Sequence, residues 1–195
     1  MPQDRTRKIV VTAIMGAITI FLGLTRWGFI PWGSGASLTI MHIPVIIGAI
    51  LEGPVVGIAI GLIFGVFSVI QAGVAPNGPV DVIFTNPFIS VIPRLLIGPI
   101  AWLVWDRLKR WPVVGLVAAG IAGSLANTIL VLSAIAASPA ALEVLQIPAE
   151  GRWGFVWLVT TANGIPEAIL SAVLVLAVVS AWRQIPVGRR KGANI

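Results

Sequence analysis

The stretch Glu52-Gly53-Pro54-Val55-Val56-Gly57-Ile58-Ala59-Ile60-Gly61-Leu62-Ile63-Phe64-Gly65 decides the fold. Glu52-Gly53-Pro54 makes a tight turn with proline at a favoured helix-entry position, and no charge interrupts the apolar run over 55–70 that follows. Gly53, Gly57, Gly61 and Gly65 recur at four-residue spacing. On a helix they form one flat strip against which another backbone can pack closely, and internal packing is the expected use of it. The rest of the chain has the same character: of 195 residues, 57% are hydrophobic and 10% charged, where a soluble domain carries about a quarter charged. At about 20 residues per crossing, the length holds roughly six helices and leaves no large domain outside the bilayer.

Working outward from that run, helices are expected over about 9–25, 37–51, 55–71, 86–105, 112–136 and 153–182, in a single integral membrane domain covering 1–195. The fold class is all-α, a six-helix transmembrane bundle. The first run follows Arg5, Arg7 and Lys8 as a signal peptide would, but Arg26, Trp27 and Phe29 stand where a small-x-small cleavage site belongs, which favours a helix. The second run is short and contains Pro44, so it is tilted or shortened by a preceding loop that dips into the membrane. Pro76-Asn77-Gly78-Pro79 makes 71–82 a loop.

Charge gives the sidedness. Ten of the thirteen basic residues lie in the N-terminal tail (Arg5, Arg7, Lys8), at Arg107, Lys109 and Arg110 between the fourth and fifth runs, or at Arg183, Arg189, Arg190 and Lys191. That is a positive-inside pattern with both termini cytoplasmic. Trp27, Trp32, Trp153 and Trp157 fall at expected outer ends and Trp102, Trp105, Trp111 and Trp182 at inner ends, as two aromatic belts. The net charge of +6 therefore reads as membrane orientation and not as a nucleic-acid surface.

Polar residues inside such spans are costly and mark function. Arg94, Asn127 and Asn163 each fall eight to ten residues from an outer helix end, roughly 12–15 Å deep at 1.5 Å per residue. His42 lies somewhat higher, on the second helix. Gly115, Ala119, Gly123 and Asn127 form one row, and Asn163, Glu167 and Ser171 another. A guanidinium with two amides suits a small solute bearing a carboxylate plus hydroxyl or amide groups. The structural alternative is an Arg94–Glu167 pair, with the asparagines capping backbone groups freed by Pro87, Pro93 and Pro166; His42 by itself fits a satisfied structural histidine slightly better than a ligand contact. Ala13 and Ala17, beside Gly16, make a short small-residue strip that either packs internally or awaits a partner.

Several chemistries are excluded. There is no cysteine, and one histidine cannot build a multi-histidine metal site. No G-x-x-x-x-G-K-[ST] motif occurs, the lysines being Lys8, Lys109 and Lys191, so no P-loop hydrolyses ATP here. No metal or cofactor is expected. An intramembrane hydrolase using Glu167 or His42 as base would need a second catalytic group at matching depth, and a passive channel suits closed glycine packing poorly.

The run Thr39-Ile-Met-His-Ile-Pro-Val-Ile-Ile-Gly-Ala-Ile-Leu-Glu-Gly-Pro54 with its spaced glycines, together with Ala13 and Ala17, resembles the substrate-binding S components of energy-coupling factor (ECF) vitamin transporters. Phe84-Thr-Asn-Pro-Phe-Ile-Ser-Val-Ile-Pro-Arg-Leu-Leu-Ile-Gly98, with Asn127-Thr128 and Asn163 to Glu167, is most similar to the pantothenate-type branch. The resemblance implies a non-catalytic capture subunit in a prokaryotic plasma membrane. Its partners would be a vitamin, a membrane-embedded coupling (T) subunit and two cytoplasmic ATPases. It assigns coupling-subunit contact to Ala13 and Ala17. Closure over the solute falls to the loops at 27–37 and 71–83, through Gly33, Ser34, Gly35, Gly73, Pro76, Asn77 and Gly78. Arg94, Asn127, Asn163, His42, Asn86, Trp32 and Glu167 form the substrate-binding set, and pantothenate is the first ligand expected. The same fold with a pyrimidine, pyridoxine-like or folate ligand is the alternative.

Overall fold

The computed structural model describes residues 2–31, 37–76 and 79–185. Trp32, Gly33, Ser34, Gly35, Asn77 and Gly78 lie outside the described residues. The chain is mostly helical: α1 Pro2–Leu24, α2 Ile43–Glu52, α3 Pro54–Val74, α4 Pro87–Ser90, α5 Ile92–Leu108, α6 Pro112–Ala136, α7 Pro139–Val144, α8 Arg152–Val159 and α9 Ile165–Arg183. Proline stands in the first two positions of α2 to α7 and of α9. There its missing N–H costs nothing, because first-turn donors have no helical acceptor. Five stretches are long and apolar enough to cross a membrane: Asp4–Leu24, Pro54–Val74, Pro87–Leu108, Pro112–Ala136 and Ala149–Arg183.

The expected helix over 37–51 is corrected at its start. Ser37–Thr39 is a strand, β2, paired antiparallel with β1 (Phe29–Pro31) in the register Phe29↔Thr39, and helix begins only at Ile43, where Pro44 is tolerated. The fourth run breaks at Val91, between α4 and α5. Pro93 has no N–H for the carbonyl of Ile89. The sixth run is interrupted by a π-helical turn over Thr160–Gly164, in which the Ile165 N–H bonds to the Thr160 carbonyl. Pro166 cannot donate to Ala162, and the shifted bond one residue earlier accommodates that gap. The first helix starts earlier than expected, at Pro2, and the third runs on to Val74 before a 3-10 turn at Pro79–Thr85.

Glycines set how closely the helices pack. A Cβ at Gly57 would meet the Gly98 Cα, one at Gly61 the Arg94 carbonyl oxygen, and one at Gly65 the Val91 Cα, so the strip on α3 is spent inside the bundle, antiparallel to α5. Gly53 does not share that face; it turns the chain between α2 and α3 at φ +98°, a conformation glycine adopts without penalty. On α6, Gly123 packs on Ile46 and Ala101, while Gly120 packs on Ala172 of antiparallel α9. Gly16 and Gly23 place α1 parallel to α3, against Ile63 and Phe67.

At the centre lies α2, whose side chains from Ile43 to Leu51 are all buried among α1, α3, α5, α6 and α9. Ten residues make about 15 Å of helix, half of the hydrocarbon thickness, and this helix is shielded by protein on every side. Its C-terminal end is tied down. Arg183 at the end of α9 donates to the Ile50 carbonyl at 2.7 Å and lies over the Trp105 ring at 5.1 Å. Arg7 of α1 stands 2.7 Å from Glu52, an ion pair without the alignment of a hydrogen bond. Trp105 is thus buried under a cation and not a belt residue, whereas Trp27, Trp111, Trp153, Trp157 and Trp182 are exposed.

Candidate functional site

The opposite end of α2 collects buried polar groups. His42 heads the helix and is 0% exposed, and neither ring nitrogen has a hydrogen-bond partner. Arg94, in the first turn of α5, is 6% exposed. One guanidinium nitrogen, Nη1, donates to the Ile89 carbonyl at 2.7 Å. That oxygen is the one Pro93 leaves without a helical donor, so the break in the fourth run and the placement of Arg94 are one event. The Phe64 and Phe84 rings flank the guanidinium at 5.4 and 5.5 Å, and Nε is buried without a partner.

Among the described residues, no carboxylate is found paired with this cation. The structural alternative paired it with Glu167, but Glu167 accepts from the Thr39 N–H at 2.6 Å and from the Thr128 hydroxyl at 3.3 Å. Burying an ion costs several kcal/mol. One charged hydrogen bond returns about 1.5–3 kcal/mol and each ring about 0.5–2. These contacts supply no opposite charge, and an anion is the partner that would provide one.

Asn127 and Asn163 are buried, as their rows imply, Asn127 on the α6 face toward α2 and α5, and Asn163 within the π turn. The Asn127 Oδ1 has no partner. Ser171, the third member of its row, is occupied, donating to the Gly120 carbonyl at 3.1 Å. Asn86 is placed apart from this group: it is exposed, and its Oδ1 accepts from the Phe88 N–H at 2.9 Å as the N-cap of α4. Pro76 is exposed just beyond the end of α3. Ala13 and Ala17 are exposed on α1, on the face adjoining buried Gly16, beside exposed Val10, Ile14, Ile18 and Phe21.

Further groups join the cluster that the candidate set did not include. Ser124 Oγ and Thr160 Oγ1 are buried without partners; Ser124 lies one turn from Thr128, and Thr160 opens the π turn next to it through Gly164. The serine could be found from its four-residue spacing to Thr128. The rings of Phe64 and Phe84 could not, since one sits among the α3 glycines and the other in a 3-10 turn far from Arg94 along the helix pattern. Among the described residues, no group of acidic residues and histidine is arranged to hold a metal ion. Among the described residues the cluster holds one cation with no paired carboxylate and several buried, unused donors and acceptors, groups that could bind a polar anion.

The family model described as the substrate-specific component of ECF transporters matches residues 7–179. The chain is 30% identical over 203 residues to the pantothenate transporter PanT of Leuconostoc mesenteroides, covering 98% of each chain. To the pantothenic acid transporter PanT of Lactococcus lactis it is 28% identical over 199 residues, covering 93% of this chain and 96% of that one. A match over most of the length, joined to a bundle of membrane-length apolar helices around a buried polar site, establishes that this chain belongs to the substrate-specific components of ECF transporters.

Proposed function

We propose that the protein captures pantothenate from outside the cell and delivers it through an ECF transporter. The observation that carries the ligand is the Arg94 guanidinium, buried and flanked by two rings, with no carboxylate paired to it among the described residues. A carboxylate on the solute supplies the missing partner, and its hydroxyl and amide groups use His42, Asn127, Asn163 and Thr160. The names of the two relatives point to the same ligand. Purified protein should bind pantothenate with one site per chain in calorimetry. The analogue in which the carboxylate is replaced by an alcohol should bind at least about tenfold more weakly, since a charge-assisted hydrogen bond is worth more than 1.4 kcal/mol. Equal binding of both, or a co-purifying small molecule without an acid group in mass spectrometry, would point to another vitamin.

The rest of the proposal is the transport cycle. The single domain crosses the membrane six times, α2 forming the short second crossing beneath the β1–β2 hairpin, with both termini cytoplasmic. Support comes from the alternating helix directions and from the meeting of Arg7, near the start of α1, with Arg183, at the end of α9, around one end of α2. The pocket opens outward, and the connections at 27–37 and 71–83 close over the solute. The exposed Ala13 and Ala17 receive the coupling subunit, whose two ATPases supply the energy for the bundle to topple. Ala13→Trp combined with Ala17→Trp should abolish uptake in cells while pantothenate binding to the isolated subunit is kept. Normal uptake in that variant would remove the docking assignment.

A further inference from the structure

Glu167 differs from the other polar residues of the site because both of its oxygens are already in use. Oε1 accepts from the Thr39 N–H at 2.6 Å and Oε2 from the Thr128 hydroxyl at 3.3 Å. The register explains the first bond. In an antiparallel strand, successive N–H groups point to opposite sides, and the neighbouring Ile40 N–H donates across the hairpin to the Gly28 carbonyl at 2.9 Å. The Thr39 N–H therefore points away from β1, to the open edge of a two-stranded sheet, where a buried donor needs an acceptor. The carboxylate comes from α9, one turn beyond the π turn.

The three groups joined here stand next to three site residues. Thr39 lies three residues before His42, Thr128 follows Asn127, and Glu167 is four residues after Asn163. Leu38 is buried, so the strand is seated in the protein. We infer that Glu167 is a positioning residue whose carboxylate straps the β1–β2 hairpin to α6 and α9, holding His42 in the site and limiting how fast a bound solute escapes, without itself touching the solute. The inference rests on the cluster around Arg94 being the solute site.

The experiment pairs variants that cut the strap from either side, in full-length protein in nanodiscs. Glu167→Ala removes the acceptor. Thr39→Pro removes the donor while leaving the carboxylate intact, at an N–H outside the ladder, where proline is tolerated. Each should speed amide exchange in peptides covering 38–42 about tenfold. Each should also raise the dissociation rate of radiolabelled pantothenate about tenfold, with the association rate changed by less than about threefold. The double variant should be no worse than Glu167→Ala alone, because the bond that Thr39→Pro removes is one of the two that Glu167→Ala already lacks. Glu167→Gln, whose amide oxygen still accepts from Thr39, should restore both readouts most of the way. If Glu167→Ala does not fold, Thr128→Val cuts only the second bond and should move both readouts less, in the same direction. Unchanged exchange over 38–42 in folded Glu167→Ala or Thr128→Val would overturn the strap. So would a Glu167→Gln variant as impaired in binding as Glu167→Ala while its exchange stays protected, which would make Glu167 a solute contact. The exchange measurement needs no solute, so wild-type protein that fails to bind pantothenate would sink the ligand assignment and leave the strap decided on exchange.

Discussion

The two ends of α2 use polar groups in opposite ways. At the Glu52 end, Arg7 faces a carboxylate and Arg183 satisfies the carbonyl of Ile50 over the Trp105 ring. At the His42 end, two ring nitrogens of His42, Nε of Arg94, Oδ1 of Asn127 and the hydroxyls of Ser124 and Thr160 are buried and unused. Arginines at the first end hold a helix terminus together. The arginine at the second stabilises one broken helix and keeps most of its hydrogen-bonding capacity for something else. Buried polar groups without partners are a cost that a native fold tolerates chiefly where function requires it. The contrast sets a tied-down end against an end with unused polar groups, about 15 Å apart on one ten-residue helix.

Substitutions at the two ends test that division. The largest effect is expected from Arg94→Ala, which should weaken pantothenate binding by about 2 kcal/mol or more while the protein remains folded; unchanged affinity in calorimetry would make Arg94 only a clamp for the Ile89 carbonyl. Gly61→Ala should come next, because its methyl group meets the Arg94 backbone carbonyl and forces α5 away from α3. A loss of about 1–3 kcal/mol in thermal stability is expected, with weaker binding beside it. Gly154→Ala, with nothing within 4 Å of the new methyl, is the matched control and should behave as wild type. At the other end, Arg183→Ala should cost about 1 kcal/mol of stability, a charged hydrogen bond discounted for its exposure to solvent. Its affinity for pantothenate should stay within about twofold of wild type if the two ends are energetically independent. The smallest effect belongs to Arg7→Gln. Its side chain is 59% exposed, and thermal unfolding should show no resolvable change. A loss of binding in either variant at the Glu52 end would show that α2 transmits between its ends.

Much of the bundle was legible because its signals are local. The α6 limits at 112 and 136 follow from a proline entry and an uninterrupted apolar run. The glycine rows announced close packing, and the contacts of Gly57, Gly61 and Gly65 with α5 are where that packing occurs. The breaks were less legible although their causes stand in the sequence. Pro93 and Pro166 show that a carbonyl loses its donor, but not whether the chain answers by stopping, as at Val91, or by a π turn, as at Thr160–Gly164. The strand at Ser37–Thr39 was hidden because its residues are apolar enough to continue the helix that follows. Its open edge is satisfied by a carboxylate 128 residues away.

The sequence by itself determined that this chain is membrane-embedded, which helices span membrane length, and that Arg94, Asn127, Asn163 and Glu167 belong inside. Those conclusions need only the cost of placing charge in an apolar medium and the repeat of a helix. Whether a buried charge is paired or waiting depends on which groups distant in the chain arrive beside it, and only tertiary packing decides that. The spacing left an Arg94–Glu167 pair as the structural alternative to a solute contact. The fold gives Glu167 to Thr39 and Thr128 and leaves Arg94 between two aromatic rings, because hydrogen bonds are settled by distances of a few ångströms that no spacing along one helix contains.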